Sequence, residues 1–177
     1  MIVVDDGSGD GTLDAVQPFV DSIRVFKNSA NVGLPASLNT GIRNAKGQFV
    51  VRVDADDYVH FEYLKMLMIH LQLNHVIDAI ACDYLLVDER QNRIRIVDCS
   101  LEPIGCGIMF RLAQLIDIGL YDPSFLRCEE EELRHRFEKK YSIERLKVPL
   151  YRYRMHSNNM SSDEHMMNYY RTRLWDK

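Results

Sequence analysis

Apolar and polar positions alternate in blocks along the first third of the chain. Met1–Val4 is a short apolar run halted by Asp5, Asp6 and a Gly/Ser cluster, and it predicts a buried strand. Leu13, Val16 and Val20 recur at helical spacing from Thr12, with Pro18 disturbing the end, and Ser22–Phe26 (SIRVF) reads as a second strand. Leu38 and Ile42 place a helix over Pro35–Ala45, stopped by Gly47. Gln48–Val53 (QFVVRV) is the strongest strand pattern and runs straight into Asp54–Asp57. His60–Asn74 follows as an amphipathic helix with Tyr63, Leu64, Leu67, Met68 and Leu71 on its apolar side. Further on, Ala79–Val87 and Arg93–Val97 flank the polar ERQN as a hairpin. Ile108–Ile118 reads as a helix closed by Gly119, and Glu129–Lys140 as a charged helix. Ile143–Arg154 is extended, and Asp163–Trp175 forms a last helix. Strands alternating with helices in the first half indicate an α/β layer around a largely parallel sheet.

Length and composition narrow the class. The 177 residues suit one domain with a sizeable core. With 22 Lys and Arg against 26 Asp and Glu the net charge is −4, and no basic face for nucleic acid is expected. A carboxylate-rich chain handles phosphorylated ligands through a divalent cation. Cys82, Cys99, Cys106 and Cys128 are too widely spaced for a metal knuckle and read as reduced thiols of a cytosolic protein. No apolar run approaches the roughly 18 residues of a membrane span, and no signal peptide is visible.

Three carboxylate clusters carry candidate chemistry. Asp6-x-Ser8-x-Asp10-Gly11 looks like the start of a calcium loop, but it follows a strand-like run where a calcium hand needs a helix. A strand-to-helix turn in an α/β sheet fits better, and ligands bind outside the carboxyl ends of such strands. A carboxylate there accepts from a sugar hydroxyl or a base N–H, Gly7 permits close backbone approach, and Asp10 or Thr12 caps the next helix. Asp54 and Asp56 fall on one side of a strand end, which suits a hard cation that also holds phosphate oxygens. The competing reading is a solvated acidic turn before a helix. Glu129–Glu132 open a helix, where the macrodipole favours acids, yet four adjacent acids repel and one can serve as a general base. His156, after the last strand, is a third candidate metal ligand.

In this order the stretches IVVDDGSGDGT (2–12), NVGLPASLNTGIRNAKGQFVVRVDADD (31–57), GCGIMFR (105–111), EEEELRHR (129–136) and YRMHSNNMS (153–161) resemble the inverting, nucleotide-sugar-dependent glycosyltransferases of family 2, with the GT-A fold. The resemblance implies a single GT-A-like domain over 1–177, with a nucleotide-binding half at 1–57, an acceptor and catalytic half at 58–162, and a C-terminal helix at 163–177. It implies that Asp6 holds the base and Asp5 supports that turn. Gly33 lies against the nucleotide, Asp54 approaches the ribose, and Asp56 binds Mg²⁺ or Mn²⁺ at a D-x-D motif. His156 completes the metal site. Glu130, where the family has Asp, deprotonates the acceptor. The implied partners are a nucleotide-diphosphate sugar and a saccharide or lipid-linked acceptor, in polysaccharide biosynthesis at a cytoplasmic location or at the inner membrane face.

Family members carry one more strand and helix before IVVDDGS. As given, the chain is expected to be an N-terminally truncated version of the fold, with two open strand edges that favour a homo-oligomer. The competing functional class is a non-catalytic GT-A-like binding or assembly module with an incomplete donor pocket. A nucleotidyltransferase would show a Gly-rich basic loop near its start, and none is present.

Overall fold

The computed structural model describes residues 1–156 and 164–175. β1 (Ile2–Asp5) runs into the Gly/Ser turn and pairs in parallel with β2 (Arg24–Lys27). Between them the expected helix over Thr12–Val20 is divided. α1 (Thr12–Val16) gives way to a 3-10 turn at Gln17–Phe19, with Pro18 in its first turn. α2 (Leu34–Arg43) begins at Gly33 with Pro35 in its first turn, and ends at Asn44 before Gly47 is reached.

A second, six-stranded sheet holds the core. It contains β3 (Phe49–Val51), β4 (Tyr58–Val59), β5 (Ala79–Val87), β6 (Arg93–Val97), β7 (Ile108–Arg111) and β8 (Ile143–Arg154), in the order β3-β7-β5-β8-β4 with β6 on β5. α3 (Tyr63–Leu73), α4 (Leu112–Asp117), α5 (Glu129–Glu138) and α6 (Glu164–Trp175) complete the fold. The expected hairpin of β5 and β6 forms across ERQN.

The expectation of a mostly parallel sheet needs correcting in detail. β1–β2 and β5–β8 are parallel, whereas β3–β7, β5–β7, β5–β6 and β4–β8 are antiparallel. The cause is β7. The residues Ile108–Arg111, expected as the start of a helix, instead insert between β3 and β5, and the helix begins only at Leu112. A short apolar run fits both periods, and burial on both faces decided for the strand: Ile108, Met109 and Phe110 are all buried. In α3, Tyr63, Leu67 and Leu71 are buried, while Leu64 and Met68 are exposed. That helix is apolar almost all round, so its sequence does not mark which side faces the core.

The two sheets share no ladder among the described residues. α2 bridges them. A Cβ on Gly41 would lie 3.4 Å from Val4 Cγ2 of β1, while Ile42 and Leu38 pack into the core of the larger sheet. α6 packs apart from that core, with Tyr170, Leu174, Met166 and Met167 against Phe125 and Cys128. Asp163, the expected first residue of α6, and Ser157–Ser161 of YRMHSNNMS lie outside the described residues.

Candidate active site

The β1 turn is knitted by its own aspartates. Asp6 accepts hydrogen bonds from Asn28 Nδ2 (2.8 Å), Val32 N (3.0 Å) and Gly33 N (2.9 Å), which ties the turn to the loop before α2. Partial burial pushes the Asp6 pKa up, but the bonds from Val32, Asn28, Ser37 and Gly33 outweigh it and hold the group below its ordinary value. Asp5 is buried; its Oδ1 accepts from the Ser8 backbone and hydroxyl, and its Oδ2 has no hydrogen-bond partner. Bracing of the turn therefore falls mainly to Asp6, and Asp5 keeps a shielded acceptor. Gly7, at φ +76°, lets Ala30 and Asn31 approach: a Cβ there would sit 2.8 Å from the Ala30 carbonyl carbon. Asp10 accepts from Thr12 N in a turn that precedes the helix. The residue at the N-cap of α1 is Gly11, which makes no side-chain cap bond, so the capping expected of Asp10 or Thr12 does not form.

Past β3 the acidic loop is divided among several partners. Arg52 holds Asp54 through two bonds, Nε–Oδ1 at 2.6 Å and Nη2–Oδ2 at 3.0 Å. Asp56 Oδ2 lies 2.8 Å from His156 Nε2, so the two expected metal ligands meet across 100 residues of sequence. Asp57 accepts from Tyr151 Oη (2.8 Å) and Arg154 N (2.8 Å), and Tyr151 Oη also accepts from Asp54 N (3.1 Å). Burial pushes the Asp57 pKa up against those bonds.

Two groupings could hold a cation. Donor atoms of Asp54, Asp57 and Cys106 lie within 4.8 Å of one another. There, however, Arg52 takes both oxygens of Asp54, Tyr151 and Arg154 engage Asp57, and burial pushes the Cys106 thiol well above its usual range. Asp56 is 42% exposed and pairs a carboxylate with an imidazole nitrogen, a set that suits Mn²⁺ or Mg²⁺ better than buried, already-bonded groups do.

The four glutamates opening α5 have separate fates. Glu129 is bonded by Arg52 Nη1 at 3.0 Å, Glu131 by Arg171 at 2.7 Å, and Glu132 by Arg136 at 2.6 Å. Among the described residues Glu130 alone of the four has no cationic ion-pair partner. It opens on a cavity of about 30 Å³, room for one water, whose walls include Ile104, Gly105, Phe110, Tyr121 and Arg134. Burial first, and the neighbouring Glu129 charge second, push its pKa up to about 8, against a lowering pull from Arg52.

The loop before α5 leans back onto the first turn. A Cβ on Gly33, at φ +89°, would come 2.8 Å from Leu126 Cδ2, and Asn39 exchanges two bonds with the Tyr121 backbone. The structure thus brings Asp56 and His156 together and seats Gly33 against the loop that leads to Glu130. It turns Asp54 toward Arg52. Sequence reasoning overlooked Arg52 and Tyr151. The signal for Arg52 was an arginine inside an otherwise apolar strand run; Tyr151 sits at an inward position of the alternating LYRYR.

The family model "Glycosyl transferase family 2" matches residues 1–128. Poly(ribitol-phosphate) beta-N-acetylglucosaminyltransferase TarS of Staphylococcus aureus is 35% identical over 146 residues, 75% of this chain and 26% of that protein. The solved structure of S. aureus TarS 1-349 in complex with UDP superposes with a TM-score of 0.73 at 20% identity, covering 94% of this chain and 54% of that one. Mannosyltransferase PcManGT from Pyrobaculum calidifontis, in complex with GDP-Man and Mn²⁺, gives a TM-score of 0.70 at 17% identity over 89% and 48%. These likenesses show the GT-A fold. The chain spans half or less of the length of the curated relatives it matches first. Among the described residues no helix is long and apolar enough to cross a membrane.

Proposed function

Because the chain belongs to glycosyl transferase family 2, we propose that it moves a sugar from a nucleotide-diphosphate sugar to an acceptor hydroxyl with inversion, Glu130 being the base. One observation carries the assignment: among the described residues Glu130 is the glutamate of the first turn of α5 that forms no ion pair, while Glu129 beside it is committed to Arg52. A carboxylate left without a cation partner and set beside a cavity is free to take a proton. The acceptor hydroxyl gives its proton to Glu130 as its oxygen bonds to the anomeric carbon. The bond from that carbon to the diphosphate oxygen breaks on the opposite face, and the nucleoside diphosphate leaves with the electron pair.

The donor's nucleotide end falls to the β1 turn. Asp6 lines the base and the buried Asp5 supports that turn, Gly33 gives the backbone room beside it, and Asp54 faces the ribose. Asp56 and His156 are the residues that would hold a divalent ion, whose charge would stabilise the departing diphosphate. The Mn²⁺ and GDP-Man of PcManGT and the UDP of TarS support a nucleotide-sugar donor of this type. The acceptor is assigned as a saccharide or lipid-linked hydroxyl. Residues 1–57 serve the donor, 58–162 the acceptor and the chemistry, and 163–177 form the C-terminal part, in which α6 braces α5 through the Arg171–Glu131 pair.

Calorimetry with UDP-, GDP-, CMP- and TDP-sugars, with and without Mn²⁺, tests the donor reading. Saturable, metal-dependent binding is expected for one of them. No binding at millimolar ligand would favour a binding or assembly module, a reading that the lack of a shared ladder between the two sheets among the described residues supports. For the base, Glu130→Gln should keep donor binding and lose transfer by roughly 10²-fold or more. A dead Glu129→Gln beside an active Glu130→Gln would reassign the base.

A further inference from the structure

We infer that Arg52 is a positioning residue that couples the donor-side carboxylate Asp54 to the base-bearing end of α5. The inference rests on the reading of Glu130 as the base. Arg52 follows β3 directly, and its side chain is 13% exposed. Its planar fork spends two N–H bonds on Asp54 and a third on Glu129, so one cation joins the acidic loop to the first residue of α5. Gly105 is what lets this happen. A Cβ at that position would lie 2.8 Å from Arg52 Nη1 and 3.0 Å from Glu130 Cβ, so the guanidinium and the base close in on the same bare backbone.

The consequence is electrostatic. Glu130 faces Glu129 and Glu131 on its own helix, Cys128 just before it, Arg134 one turn further on, Arg171 from α6, Arg52 after β3, and Tyr121 from the loop after α4. Of these, Arg52 pulls Glu130 toward its charged form, and Asp54 shares that positive charge. Donor hydroxyls that engage Asp54 draw off part of its negative charge and leave more of the Arg52 field to Glu130. The base then ionises more readily once the donor side is engaged, which couples donor binding to proton removal.

A ligand-free titration tests this. The carboxyl infrared band of Glu130, identified by its loss in Glu130→Gln, is followed against pH in the whole chain. Arg52→Gln should raise the midpoint by about 1–3 pH units, the size of a single charge at close range, while Arg52→Lys stays near the wild type. Asp54→Asn imitates donor engagement and should lower the midpoint, and it should do so far less in the Arg52→Gln background. If Arg52→Gln does not fold, Gly105→Ala, whose Cβ crowds both the guanidinium and Glu130 Cβ and so separates them without changing any charge, should still raise it. An unmoved midpoint in Arg52→Gln, or an equal Asp54→Asn effect in both backgrounds, overturns the coupling and leaves the base assignment intact. Full transfer by Glu130→Gln removes the base assignment and leaves the titration result standing.

Discussion

Glu130 carries a stability signature as well as a chemical one. The fold raises its pKa from an ordinary 4.5 to about 8, so between those values the folded chain keeps a proton that the unfolded chain has released. Its contribution to stability is present below pH 4.5 and is lost as pH rises to about 8. Glu130→Gln cannot ionise there. Its melting temperature should therefore gain on the wild type progressively from about pH 4.5 to about pH 8, and a parallel pair of melting curves would refute the raised value. Transfer should show the opposite slope, rising through about pH 8 as the base ionises. At Asp56 the expectation is simpler. The side chain is 42% exposed and bonded to His156, so Asp56→Ala should abolish metal-dependent nucleotide binding with an unchanged circular dichroism spectrum. Unchanged affinity would remove Asp56 from the metal site.

The acidic loop depends on an element far along the chain. Tyr151, fully buried on β8, donates to Asp57 and accepts from the Asp54 backbone, so β8 sets the shape of a loop that follows β3. Tyr151→Phe leaves the Asp54 N–H and one Asp57 lone pair without partners, at a cost of about 1–3 kcal/mol measurable by denaturant titration. A loss below that range would mean the loop holds itself. At this scale much of the fold was legible. The bounds of β5, β6 and β8 coincide with the apolar and alternating runs, because long or regular patterns leave one period to choose. β7 was not legible: three apolar residues before a helix carry no period of their own, and only a place between two strands made them a strand. The site divides the same way. The aspartates and Glu130 stand out as carboxylates at element ends. Arg52 and Tyr151 act through contacts 77 and 94 residues away in sequence, which no local pattern encodes.

For the whole molecule the divided sheet matters most. β1 has β2 on one side and β3 has β7, and among the described residues neither has a ladder partner on its other edge. Their apolar residues Ile2, Val3, Val4, Phe49, Val50 and Val51 are all half-buried. Open edges of this kind pair with other chains. Light scattering across a dilution series should show mass rising with concentration, and a stable monomer throughout the low micromolar range would refute it. The division also bears on motion. The β1–β2 ladder is anchored to the rest through α2 and the loop contacts of Gly33 and Asn39, without a shared row of backbone bonds. It should therefore open as a separate cooperative unit, without unfolding of the six-stranded core. Backbone amides of β1 and β2 should exchange with deuterium well before those of β5 and β8, and a tightly bound donor, by gripping that unit, should slow them.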